Sequence, residues 1–111
     1  MNLTWKEFER VEMRVGTVVT ARDYPEAQNP AYRLTIDFGA QIGILKSSAQ
    51  ITARYSLADL EGKQVIAVVN FPKKQIGKMM SECLILGSVG AENDIVLLSP
   101  DFKVKNGLRI G

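Results

Sequence analysis

One stretch of this sequence concentrates groups suited to binding rather than to reaction. Asn70-Phe71-Pro72-Lys73-Lys74-Gln75-Ile76-Gly77-Lys78-Met79-Met80-Ser81-Glu82 joins two predicted strands and combines lysines with side-chain amides, an aromatic ring, a hydroxyl and a carboxylate. Lysines neutralise phosphates, amides and hydroxyls bond sugars or base edges, and aromatic rings stack on bases. Asn70, Lys73, Lys74, Lys78, Ser81 and Glu82 are therefore candidate nucleic-acid contacts. The same stretch also reads as a solvated loop whose Phe71, Met79 and Met80 return to the core. A second polar cluster, Lys46-Ser47-Ser48-Ala49-Gln50, lies just past a predicted strand. Its Lys46, Ser47 and Ser48 fit a binding surface, and the two hydroxyls fit the cap of a following helix equally well.

The patterns that support catalysis are missing. The chain has no histidine, which removes the usual general base near neutral pH and the commonest metal ligand. One cysteine cannot build a zinc site or an internal disulfide. Neither a Gly-x-x-x-x-Gly-Lys-Ser/Thr nor a Gly-x-Gly-x-x-Gly phosphate loop occurs. Cys83 sits in the apolar run Glu82-Cys83-Leu84-Ile85-Leu86 and reads as a buried structural thiol. Asp59 with Glu61, and Glu92 with Asp94, lie in polar stretches and read as solvated acids. The expectation is a binding protein, not an enzyme, with no cofactor and no metal.

Charge is distributed unevenly. The net charge is only +2, yet residues 62–81 hold Lys63, Lys73, Lys74 and Lys78 without one acid. Residues 38–58 are also free of acids and carry Lys46 and Arg54, and the tail adds Lys103, Lys105 and Arg109. Such segments fit a polyanion-binding face or an ordinary solvated surface.

The elements that must position these groups are mostly strands. Thr4-Trp5-Lys6-Glu7 has the capping-box pattern and predicts a short helix to about Arg10. A helix that short needs a surface to dock on. Its Leu3, Trp5 and Phe8, with Leu108 and Ile110 near the other end, form a candidate dimer contact; the alternative is a helix that plugs its own barrel. Met13 to Arg22 predicts a long strand with Met13, Val15, Val19 and Ala21 in partial alternation and Gly16 as a kink or bulge. A loop over 23–30 follows, then a cleanly alternating strand from Tyr32 to Phe38 and a third strand from Ile42 to Lys46. Ser47 to Leu60 predicts one or two short helices. Strands follow at Gln64–Val69, Glu82–Ser88 and Ile95–Ser99, with Asn70–Met80 as a loop. Asn106-Gly107 predicts a tight turn before a final strand at Leu108–Ile110. The pattern is all-β with short helices and suits a five-stranded Greek-key barrel. The 111 residues make one domain, 1–111. No signal peptide or apolar run long enough to span a bilayer is visible, so a cytoplasmic protein with no membrane partner is expected.

Taken together, the two polar segments make the chain resemble the tRNA-binding-domain family. That family comprises OB-fold barrels found alone or appended to methionyl- and some phenylalanyl- and tyrosyl-tRNA synthetases. The likeness runs through Phe8-Glu9-Arg10-Val11-Glu12-Met13-Arg14-Val15-Gly16-Thr17-Val18, Ile36-Asp37-Phe38-Gly39, Ser47-Ser48-Ala49-Gln50-Ile51-Thr52, Val68-Val69-Asn70-Phe71-Pro72 and Val96-Leu97-Leu98-Ser99-Pro100-Asp101. The Ser-Ser-Ala-Gln-Ile-Thr and Val-Val-Asn-Phe-Pro strings are most similar to the stand-alone bacterial CsaA branch. Gly77-Lys78 stands where the family often has Arg-Gly, and Gln28 where that branch often has a basic residue. The resemblance implies an OB barrel with N- and C-terminal extensions that build a homodimer, and tRNA bound by shape and backbone. It also implies the alternative of a chaperone that binds unfolded or export-bound polypeptides.

Overall fold

Thr4 and Glu7 start the first helix as their spacing predicts. The Glu7 N–H donates to Thr4 Oγ1 at 3.1 Å and the Thr4 N–H donates to the Glu7 carboxylate at 2.9 Å. The computed structural model describes residues 1–111. In chain order it contains α1 (Trp5–Glu9), β1 (Met13–Asp23), β2 (Tyr32–Asp37), β3 (Ile44–Ala49), α2 (Leu57–Leu60) and β4 (Gln64–Val68). It continues with β5 (Lys74–Ile76), β6 (Met79–Ser81), β7 (Leu84–Ile85), β8 (Gly87–Val89), a 3₁₀ turn (Ala91–Asn93) and β9 (Ile95–Leu97).

The main sheet is five-stranded and antiparallel, in the order β3-β2-β1-β4-β7. Strand β1 is long enough to serve two neighbours. Its first half, Met13–Thr17, pairs with β4, and its second half, Thr17–Asp23, pairs with β2. The register shifts between Val18 and Thr20, so Val19 is the extra residue of a bulge. The bulge resets the alternation. Val18 and Ala21 point into the core, while Val19 is exposed. Gly16 is not the bulge that its type predicts. A Cβ there would lie 2.6 Å from Ile36 Cγ2 and 2.7 Å from the Phe38 ring, so glycine makes room for two core side chains.

The sheet curls around Leu34, Ile36, Phe38, Val65 and Ala67, with Leu60 of α2 and Leu97 of β9 packed into the same cluster. This is the expected five-stranded barrel with short helices. Ser56 and Asp59 form a second capping box that starts α2. The C-terminal segment fills the edge of β1 that β2 leaves open: Gly107 N–H donates to Val15 O at 2.7 Å and Ile110 N–H to Met13 O at 2.9 Å.

Further expectations need correction. The final strand expected at Leu108–Ile110 is a single bridge, Arg109 opposite Arg14, with no named strand. The third strand runs Ile44–Ala49, not Ile42–Lys46, because the free edge of β2 continues the ladder as far as Tyr32 opposite Ala49. The helical stretch expected over 47–60 therefore shrinks to α2. The expected loop over 70–80 contains a hairpin, β5 with β6. The expected strand over 82–88 divides, because β7 pairs with β4 whereas β8 turns away to pair with β9.

Candidate nucleic-acid interface

The corrected β3 changes what Ser47 and Ser48 are. They are strand residues on opposite faces, not helix caps. Ser47 is turned inward, 1% exposed, and its hydroxyl donates to Cys83 O at 3.2 Å. Ser48 and Lys46 face outward. Outward residues of β2 face the same way, and the register sets Arg33 opposite Ser48 and Thr35 opposite Lys46.

The β5–β6 hairpin extends this surface. Its register sets Lys74 opposite Ser81, and Ser48 N–H donates to Ser81 Oγ at 3.2 Å. One row thus runs Arg33, Ser48, Ser81, Lys74. The next runs Thr35, Lys46, Glu82, Lys73. Glu82 N–H donates to Lys46 O at 2.8 Å, and Lys46 N–H donates to Glu82 Oε1 at 2.9 Å. The other carboxylate oxygen pairs with Lys73 Nζ at 3.2 Å. Glu82 thereby closes the barrel edge and orients one lysine. The Lys46 N–H, bonded to its carboxylate, holds its pKa below the usual range; partial burial opposes this and Lys73 reinforces it.

Arg33, Lys46, Lys74 and Lys78 stand exposed on this surface with no acid within salt-bridge distance. Arg33 was not among the residues singled out by sequence. Its position in an alternating strand, on the face opposite buried Tyr32 and Leu34, is the signal that identifies it. Tyr24, also missed, lies beneath Arg33, whose guanidinium carbon is 5.6 Å from the ring centroid.

Other candidates are placed differently. Asn70 is committed to the fold: its Oδ1 accepts the Glu12 N–H at 3.1 Å and its Nδ2 donates to Arg10 O at 2.7 Å, tying α1 to the end of β4. Phe71 is 55% exposed and shares a shallow depression with Val11 and Val68 beside α1. Cys83 is buried; burial first, then the adjacent Glu82 charge, pushes its thiol up to about 12, so it stays protonated and unreactive. Beside the basic rows lies an apolar groove of about 510 Å³ between Ile51, Ile76, Leu84, Val89 and Ile95, bordered by Lys74, Ser48 and Ser81. No group of three or more His, Cys, Asp or Glu residues is arranged to hold a metal. No helix is long and apolar enough to cross a membrane.

Residues 13–109 match the model of a family described as "Putative tRNA binding domain". The methionine–tRNA ligase of Thermococcus onnurineus is 31% identical over 106 residues, which is 96% of this chain but 14% of the ligase. The chain thus spans about a seventh of that relative. The crystal structure of the chaperone CsaA from Bacillus anthracis superposes with a TM-score of 0.94 at 45% identity, covering 100% of both chains. That of the CsaA chaperone protein from Picrophilus torridus gives 0.92 at 43% identity, covering 99% of this chain and 100% of the other.

The Glu82 clasp has a pH signature. Its folded-state pKa lies below its ordinary value of 4.5, so its contribution to stability is complete above about 4.5 and is lost as pH falls through the folded value. Glu82→Gln is expected to be less stable than wild type at neutral pH by about 1.5–3 kcal/mol, the range for a hydrogen bond to a charged group. Urea unfolding of the two proteins from pH 7 to pH 3 should show the difference shrinking below pH 4.5. A constant difference across that range would contradict the assignment.

Proposed function

We propose, from the premise that the chain belongs to the tRNA-binding-domain family, that it is a non-catalytic tRNA-binding module, a single domain over 1–111 acting in the cytoplasm. The observation that carries this reading is the cross-strand register that sets Arg33, Ser48, Ser81 and Lys74 in one row beside Lys46. Unpaired cations spaced along a sheet suit the regular phosphates of a folded RNA. The hydroxyls between them suit ribose. Cations and hydroxyls at this regular spacing suit recognition by shape and backbone. Lys73 contributes less charge than the other lysines because Glu82 already pairs with it.

A second reading is favoured by the apolar groove beside Lys74 and Ser81. A polypeptide segment with alternating apolar side chains would fit it, consistent with the chaperone description of the two structural relatives. Salt separates the readings. With Arg33, Lys46, Lys74 and Lys78 each neutralising a phosphate, log K against log salt should have a slope near −3, about 0.7–0.9 per contact. Lys74→Ala should flatten it by roughly one unit and weaken different tRNAs about equally. A polypeptide held in the groove should bind with little salt dependence. A salt-independent tRNA affinity, or a Lys74→Ala slope equal to wild type, would remove this face as the site.

The working form of this module is a homodimer. Helix α1 buries none of its residues, and Trp5 is 84% exposed and Leu3 70% exposed, so the helix does not plug its own barrel. Arg109 donates to Glu9 O at 2.7 Å, Asn70 holds Arg10 O, and Ile110 bonds Met13. These contacts bring Leu3, Trp5, Phe8, Leu108 and Ile110 to the same end of β1. An apolar surface of this kind is what an obligate dimer buries. Sedimentation at micromolar concentration should find a dimer for wild type and a shift toward monomer for Trp5→Ala. A monomeric wild type would refute the dimer.

A further inference from the structure

We propose that Tyr24 is a positioning residue for the RNA surface, locking the tip of the basic hairpin to the β2–β3 face; this rests on the tRNA reading above. The β5–β6 hairpin is a separate two-stranded sheet with three-residue strands. Two short strands are marginal on their own in water. Its base is fixed at Ser81 and Glu82. Its tip, Ile76-Gly77-Lys78, is held by Tyr24.

Tyr24 is itself rigid. It is 3% exposed, its N–H donates to Ala31 O at 3.2 Å, and its carbonyl accepts the Ala27 N–H at 3.1 Å. Its hydroxyl donates to the Ile76 carbonyl oxygen and accepts the Lys78 N–H at 3.0 Å. The turn therefore wraps around the phenol from both sides. Gly77, between those two partners, has φ +60°, and a Cβ there would run into the Tyr24 hydroxyl. The ring's other service is to Arg33, which packs over it while its Nε donates to Asp23 O at 3.0 Å. Those contacts leave the terminal guanidinium nitrogens of Arg33 free to meet a ligand. One side chain thus sets the distance between Arg33 on the sheet and Lys78 at the hairpin tip. Without it, Lys78 would have to be ordered when RNA binds, at a cost in affinity.

The discriminating variant is Tyr24→Phe. It keeps the ring under Arg33 and the core packing, and removes only the hydroxyl. Three readouts are expected with an unmodified tRNA transcript at fixed salt. Affinity falls about three- to tenfold, the range of one or two modest hydrogen bonds. The Lys78 amide exchanges with solvent faster than in wild type. The loss caused by Lys78→Ala becomes smaller in the Tyr24→Phe background, because a freed tip already wastes that lysine. Gly77→Ala, which pushes the same hydroxyl away from the turn side, should reproduce the affinity loss and not add to it. Fully additive losses, or a Lys78 amide equally protected in Tyr24→Phe, overturn the proposal while the tRNA reading stands. A wild type that binds no tRNA overturns both.

Discussion

Strand β3 and the segment after β6 meet where the barrel must close, yet no regular ladder joins them. An edge strand left open would expose backbone donors and acceptors. Glu82 supplies both partners for Lys46: its N–H donates to the Lys46 carbonyl, and its carboxylate stands in for the missing strand acceptor. Ser47, one residue on, bonds the Cys83 carbonyl from inside, and Ser81, one residue back, accepts the Ser48 N–H from outside. Three consecutive residues of each segment therefore stitch the seam with side chains where backbone pairing gives out.

That seam also decides what the surface can do. Because the hairpin base is sewn to β3, the row begun by Arg33 on β2 continues without a gap onto Lys74. A carboxylate amid lysines looks contrary to a polyanion site. Here it bonds a backbone amide and pairs with one ammonium, and Arg33, Lys46, Lys74 and Lys78 have no acid within salt-bridge distance. Lys73 alone among these lysines is paired, with the same group. The apolar end of the molecule, at the start of β1, is served by separate contacts from Asn70 and Arg109. The two surfaces are therefore open to independent mutation.

Much of this was legible in the sequence. Thr4 with Glu7 marked α1, and the clean alternation after Tyr32 marked β2. The apolar Gln64–Val69 run marked β4, ending at Val68. What escaped did so for physical reasons. The Val19 bulge breaks the period of two, so Val18 was not singled out as core and Val19 was wrongly placed among the alternating apolar positions. The hairpin strands are too short to show a period, although Gly77-Lys78 between them has the Gly-first composition of a type II′ turn, with Gly77 at φ +60°. Ser47 and Ser48 looked like caps because the strand was ended too soon. Asn70 looked like a free amide because its partners lie 58 and 60 residues away. Arg33 and Tyr24 carry no charge signal along the chain, because the basic surface is assembled across strands. The family resemblance named the fold and the ligand class but could not show which polar groups the fold had already used.

The central claim is that tRNA lies on the outward face of β2, β3 and the hairpin. Backbone amide resonances followed during titration with an unmodified tRNA transcript test it most directly. The account predicts the largest changes at Arg33, Lys46, Ser48, Lys74 and Lys78, with Leu3, Trp5 and Phe8 little affected. Changes confined to α1 and to the tail around Lys103, Lys105 and Arg109, with the hairpin silent, would contradict it.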